Sequence, residues 1–176
     1  FAAGLAGVTS SGAYLFADGI RAVGKLRRSG SLSWLPWTDM KVKELTEWLE
    51  NKYPAKAAEH WDNVGLLVGD DEAEVSHIFL ALDLTEETLE EAIQAGADMI
   101  ITHHPMIFSP IKKIHNLDFV GGRILKLIQN DISYYAMHTN YDVLGMAELS
   151  GDKMNMKDAE ILEVTAEGDI GEEGVR

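Results

Sequence analysis

The chain contains no cysteine. Disulfides, thiolate zinc sites, iron–sulfur clusters and a thiol nucleophile are therefore excluded. Any metal site must be built from imidazole and carboxylate, a donor set that favours zinc, iron, manganese or nickel over copper(I). Positive charge is scarce: Lys and Arg number 15 against 29 Asp and Glu, for a formal charge of -14. Residues 1–39 hold four of the basic and two of the acidic side chains, so the rest of the chain carries -16. Such a surface repels a phosphate backbone and no basic stripe offsets it, so nucleic acid is not expected as a main partner. Long apolar runs are also missing. The nearest, FAAGLAGVTSSGAYLFA, is interrupted by Gly and Ser and falls short of the roughly 18–20 apolar residues of a membrane span. Its basic residues Arg21, Lys25, Arg27 and Arg28 follow the apolar part, where a secretory signal places them first. A cytosolic protein with no membrane partner is the expectation. The sequence also lacks a Walker or other Gly-rich phosphate loop, HExxH, GxSxG and the Rossmann glycine fingerprint, so nucleotide binding by a standard loop is unsupported.

What is present is organised from Met40 onward. The 176 residues suit one domain with a core of ordinary size. Residues 1–39 end in RRSGSLSWLPWTD without clear periodicity. They read either as an upstream segment outside the domain, with Met40 as the natural start, or as an ordered extension whose Trp34, Leu35 and Trp37 dock on it. MKVKELTEWLENKY then places Val42, Leu45, Trp48 and Leu49 on one helical face. VSHIFLALDL (75–84) predicts a strand, and TEETLEEAIQAG (85–96) a helix with Thr85 as N-cap and Gly96 as its stop. ADMIITHH predicts a second strand, FVGGRILKLIQND (119–131) a second such helix despite Gly121 and Gly122, and ISYYAMH (132–138) a third strand. Strand and helix alternating with short joints argue for a layered α/β domain, 40–166, with a parallel core sheet. Residues 167–176 form an acidic, Gly-rich tail with nothing to bury.

Ligands collect at the carboxyl ends of parallel strands. This sequence sets Asp83 after the first strand, His103 and His104 after the second, and His138 and Asp142 after the third. Adjacent side chains on extended backbone point apart, and Pro105 biases His104 toward the extended region. The HH pair therefore suits two ions roughly 3.5–4 Å apart better than one, although a kink at the strand end would bring both rings to one metal. The blander reading is that strand-end histidines are hydrogen-bonded rim residues. His138 reads as a ligand, a partner that orients one, a proton carrier or a backbone-bonded side chain. Asp83 either orients a ligand histidine or leads into the helix, and the second is the expectation. His60, His77 and His115 read as surface or packing residues. In WDNVGLLVGD, Trp61 and Val64 read as packing residues and DN as a turn. Lys112 and Lys113 offer an anion contact or simple solvation.

Taken together, WDNVGLLVGD, ADMIITHHPMIFSPIKKI and GRILKLIQNDISYYAMHTNYDV resemble the N-terminal half of the Nif-three-like family of dinuclear metal proteins, many of which carry the label of type-two homologues of GTP cyclohydrolase I. The resemblance covers about residues 40–164. It implies a three-layer α/β fold with a mostly parallel sheet, and metal ligands at His103, His104 and Asp142. It also implies a divalent cofactor (zinc, iron or manganese), two ions per complete site, and a homo-oligomer, hexameric in complete members. The family's remaining ligands lie in a C-terminal HxxxE motif, and no histidine follows His138 here, so this chain resembles a partial protein with an incomplete site. The expected function is a metal-dependent hydrolase acting on a small heterocyclic or phosphorylated metabolite; His138 is the best internal candidate for moving a proton, since imidazole titrates near neutrality. The alternative is a non-catalytic protein in which metal organises an oligomer or partner surface.

Overall fold

Short apolar strands alternating with amphipathic helices decide the architecture. The computed structural model describes residues 40–158 and residue 160; the expectations placed on residues 1–39 and on the 167–176 tail lie outside the described residues. In chain order these hold β1 (Met40–Lys41), α1 (Val42–Lys52), a 3-10 turn (Ala55–Ala57), β2 (Gly65–Val68), β3 (Glu74–Val75), β4 (Ile78–Ala81), α2 (Glu86–Gln94), β5 (Met99–Thr102), α3 (Phe119–Gln129), β6 (Ser133–Ala136) and α4 (Thr139–Tyr141). A π-helical stretch (Asp142–Met146) then leads into α5 (Ala147–Lys153). The main sheet has the order β2-β6-β5-β4, with β4, β5 and β6 parallel and β2 antiparallel to β6. β1 and β3 form a separate antiparallel pair.

All four residues of β5 are buried, as a strand covered on both faces requires. Alternation along it divides the core in two. Met99 and Ile101 join Val42, Leu45 and Leu49 of α1 with Tyr135, Met137 and Tyr141. Ile100 joins Leu89 and Ala92 of α2, Leu127 of α3, Tyr134 and Ala136. Helices thus cover both faces in three layers, each fully buried aliphatic side chain contributing about 1.5–3 kcal/mol before entropy is counted. The local signals behave as the sequence predicts: Thr85 Oγ1 accepts from Thr88 N at 3.1 Å, and Gly96 ends the α2 segment with φ at +67°, a conformation glycine tolerates without a Cβ clash.

Three expectations change. The strand predicted over 75–84 is two strands, because the Asp98 carboxylate accepts from both Ser76 N and His77 N at 2.8 Å and bends the chain between β3 and β4; His77 lies at that bend with an exposed side chain. Met40 and Lys41 belong to β1 rather than to the first helix, since Met40 pairs with Val75. GLLV of β2 is an edge strand that the turn reading of its flank concealed.

The backbone also kinks after β5, overriding the expectation that adjacent histidines point apart. The Thr102 hydroxyl donates to His104 O at 2.8 Å. The fully buried Tyr134 hydroxyl accepts from Met106 N at 2.8 Å and lies 2.8 Å from Thr102 Oγ1 and 3.2 Å from His104 O. Burial raises the Tyr134 phenol above its ordinary pKa, so it stays protonated. The bend turns the His103 and His104 rings toward each other, with centroids 5.0 Å apart. Tyr134→Phe should therefore cost about 1–3 kcal/mol, the penalty for leaving buried partners unmet, measured as a shift in the urea unfolding midpoint.

Candidate metal centre

Parallel β4, β5 and β6 deliver their following residues to one rim: Asp83, then His103 and His104, then His138. Because β2 runs the other way, the residues before it, Trp61 to Asn63, arrive at that rim as well. There the Asp62 side chain is fully enclosed. Its oxygens accept from Asn63 N (2.8 Å), His138 Nδ1 (3.0 Å), Thr139 N (3.0 Å) and Thr139 Oγ1 (2.5 Å). Burial pushes the Asp62 carboxyl up, but the hydrogen bonds from Thr139, His138 and Asn63 outweigh it and hold the group below its ordinary value.

Each of the three rim imidazoles has an oxygen acceptor on Nδ1. His103 donates to Met137 O at 2.9 Å, His104 to Asp83 Oδ1 at 2.7 Å and His138 to Asp62 Oδ1 at 3.0 Å. This arrangement selects the Nδ1–H form, with the lone pair on Nε2, as the oxygen partner of a metal-binding histidine does. The rings lie close: centroids are 5.2 Å apart for His103 and His138 and 5.6 Å for His104 and His138. One ring nitrogen from each of His103, His104 and His138 can be chosen so that all three fall within 4.8 Å of one another, a grouping that could hold a metal ion. The donor set suits zinc, iron or manganese.

Asp142 lies beside the grouping, its Oδ1 3.4 Å from His103 Nε2. It is carried by the π-helical stretch, whose Gly145 packs under two rings: a Cβ there would sit 2.7 Å from Tyr141 Cε2 and 3.0 Å from Tyr53 Cε1. Irregular helix of this kind recurs at functional sites. Burial pushes the His103 imidazole below its ordinary pKa; Asp142 opposes this, and the other two histidines reinforce it. His103 is thus neutral at pH 7, the state in which a ring nitrogen can coordinate. Its side chain is 8 % exposed, against 19 % for His138 and 46 % for His104, so the rim opens to solvent on the His104 side.

The structure brings together His103, His104, His138 and Asp142, and sets Asp83 on His104. The reading of Asp83 as a residue leading into the helix is corrected: Thr85 caps the helix, and the Asp83 carboxylate serves the histidine. Trp61 is not a packing residue, being 48 % exposed. Asp62 went unrecognised, its only sequence signal being a carboxylate next to an apolar run. Lys112 and Lys113 are exposed, and His115 pairs locally with Asp118 at 3.1 Å.

A three-layer α/β domain with a histidine-carboxylate rim above a mostly parallel sheet is the class this geometry defines. The sequence profile of the Duf34/NIF3 (NGG1p interacting factor 3) family matches residues 40–174, and the chain belongs to that family. Among curated relatives, the GTP cyclohydrolase 1 type 2 homolog of Staphylococcus epidermidis is 41 % identical over 125 residues, covering 70 % of this chain and 34 % of the relative. That of Clostridium perfringens is 44 % identical over 103 residues, covering 58 % and 39 %. The crystal structure of a Bacillus cereus protein related to NIF3 superposes with a TM-score of 0.66 at 41 % identity, covering 72 % of this chain and 35 % of that one. Reduced HcgD from Methanocaldococcus jannaschii gives 0.64 at 31 %, covering 75 % and 52 %. The chain spans about a third of the length of the curated relatives it matches. No helix among the described residues is long and apolar enough to cross a membrane.

Replacing Asp62 with Asn at neutral pH should destabilise the fold by about 1.5–3 kcal/mol, the usual worth of hydrogen bonds to a charged group. Because the carboxyl is held lower in the folded chain than in the unfolded one, the wild-type advantage is complete above about pH 4, the ordinary carboxylate value. It shrinks as pH falls through the lower folded value, so urea titrations at pH 7 and pH 3 should show the difference between the two proteins narrowing at the acid end.

Proposed function

We infer that this chain contributes a divalent-metal site to a metal-dependent hydrolase, with His103, His104 and Asp142 holding metal and His138 moving a proton. The observation that carries this reading is the shared orientation of the three imidazoles, each tied through Nδ1 to an oxygen. For the two ligand histidines the tethers are Met137 O and the Asp83 carboxylate, partners that orient a ring for metal ligation; for His138 the tether is Asp62. A divalent cation, when bound, supplies Lewis acidity at neutral pH. The chain's own residues do the rest. Met137 O and Asp83 orient the two adjacent histidines, and Asp142 adds negative charge beside His103. Asp62 fixes the proton of His138 on Nδ1, so that Nε2 can accept one from a reacting group, the task of a general base.

The label carried by the staphylococcal and clostridial relatives, GTP cyclohydrolase 1 type 2 homolog, fits hydrolytic attack on a small heterocyclic or phosphorylated metabolite. With the chain matching a third of those relatives, two ions in the complete site, further ligands from outside this segment and a homo-oligomer are part of the proposal. The exposed His104 flank is where additional ligands would join.

Dialysed protein should take up zinc or manganese, measured by elemental mass spectrometry, and His103→Ala should abolish that uptake. Asp83→Ala should weaken it about 10- to 100-fold, as loss of a ligand-orienting partner does. In a panel of nucleotides and phosphoesters, His138→Asn should lower turnover about 100- to 10,000-fold, the range of general acid–base catalysis, with metal content preserved. Absence of metal uptake by the wild-type protein would sink the reading. Uptake with no turnover, together with loss of assembly in His103→Ala, would favour a metal-organised oligomer instead.

A further inference from the structure

Two large aromatic side chains stand half exposed on the His138 side of the histidine rim. Trp61 is 48 % and Phe108 52 % exposed. Their rings lie 5.8 Å apart at an interplanar angle of 47°, and the Trp61 ring also meets the His138 ring at 6.2 Å, nearly edge-on. Scattered exposed apolar residues are ordinary, but these two touch each other and one touches the proposed proton carrier.

They are also braced from behind by polar groups. Trp61 is followed by Asp62, whose enclosed carboxylate is bound to His138 and Thr139. The next residue, Asn63, donates from Nδ2 to Ile107 O at 2.6 Å, and Ile107 is followed by Phe108. One hydrogen bond thus joins the two segments that carry the rings, and the neighbouring carboxylate fixes the pair relative to the rim. The hydrogen bond ties the two backbone segments together, and about half of each aromatic residue remains open to solvent.

We propose that Trp61 and Phe108 form a stacking platform that selects a planar heterocyclic ring and presents it to the His103–His104–His138 rim. This rests on the metal-site reading and names the substrate class for it. An aromatic face attracts any flat π-system through area burial and offset stacking, and a base offers it a larger flat face than a lone ribose does. The platform lies on the His138 side of the rim, so a ring seated there has its edge near the group that would move the proton. Specificity for flat rings and position for proton transfer come from the same two side chains.

The test is ligand-observed saturation-transfer NMR on the 176-residue chain loaded with zinc, with guanosine as the planar probe and ribose as the ring-free control. The guanosine H8 signal should receive saturation and ribose should not. In titration, Trp61→Ala and Phe108→Ala should each raise the guanosine Kd about tenfold, within the usual range for loss of one base–aromatic stack; Trp61→Phe should stay within a few-fold of wild type. Zinc content should be the same in all three variants, which separates this proposal from the metal reading: loss of zinc by the wild type defeats the latter, whereas normal zinc with no platform effect defeats the former. Wild-type protein that shows no saturation of H8, binds ribose as well as guanosine, or binds guanosine unaffected by Trp61→Ala overturns the platform; the first of these is also the outcome if another protein segment covers the two rings.

Discussion

An enclosed carboxylate joins the start of an antiparallel edge strand to the end of the parallel strand beside it, and the geometry of the rim depends on that join. Asp62 sits just before β2 and bonds to His138 and Thr139 just after β6. A buried, charged acceptor without donors would cost several kcal/mol, so the fold must keep those donors in place. The constraint works in both directions. Thr139 and His138 keep Asp62 ionised, and Asp62 decides which nitrogen of His138 carries the proton. Trp61, one residue from that clamp, lies with its ring beside His138.

The second constraint is the kink after β5. Extended backbone would send His103 and His104 to opposite faces of the sheet. The hydroxyls of Thr102 and Tyr134 bend the chain within two residues, and Tyr134 can do this because its ring is packed between β5, α2 and α3 while its oxygen reaches the rim. A core residue thereby sets a functional angle. The histidine that ends up inside is neutral through burial; the one that ends up outside leans on Asp83. An oxygen acceptor faces Nδ1 in both, Met137 O inside and Asp83 Oδ1 outside, so the two rings share one tautomer despite their different exposures.

Membership of the Duf34/NIF3 family agrees with this geometry, since the matched region, 40–174, contains every rim residue. Within that region the rim is enclosed at His103 and His138 and exposed at His104.

Much of this was written in the sequence. The lack of cysteine restricted any metal site to imidazole and carboxylate. The alternation of apolar strands and amphipathic helices gave a layered α/β domain, and Thr85 and Gly96 marked one helix because capping is a local interaction. His103, His104, His138 and Asp142 were recognisable as rim residues because parallel strands send their ends to one side. Three features were not legible. The break between Val75 and Ile78 depends on Asp98, which is distant in sequence. The convergence of the two histidines depends on a tyrosine hydroxyl thirty residues away. The roles of Asp62 and Trp61 depend on the direction in which β2 pairs. Composition and periodicity report what a segment prefers by itself, so they determined the elements and the chemistry on offer; long-range hydrogen bonds and strand direction exist only once the chain is folded, and these alone decided which side chains meet.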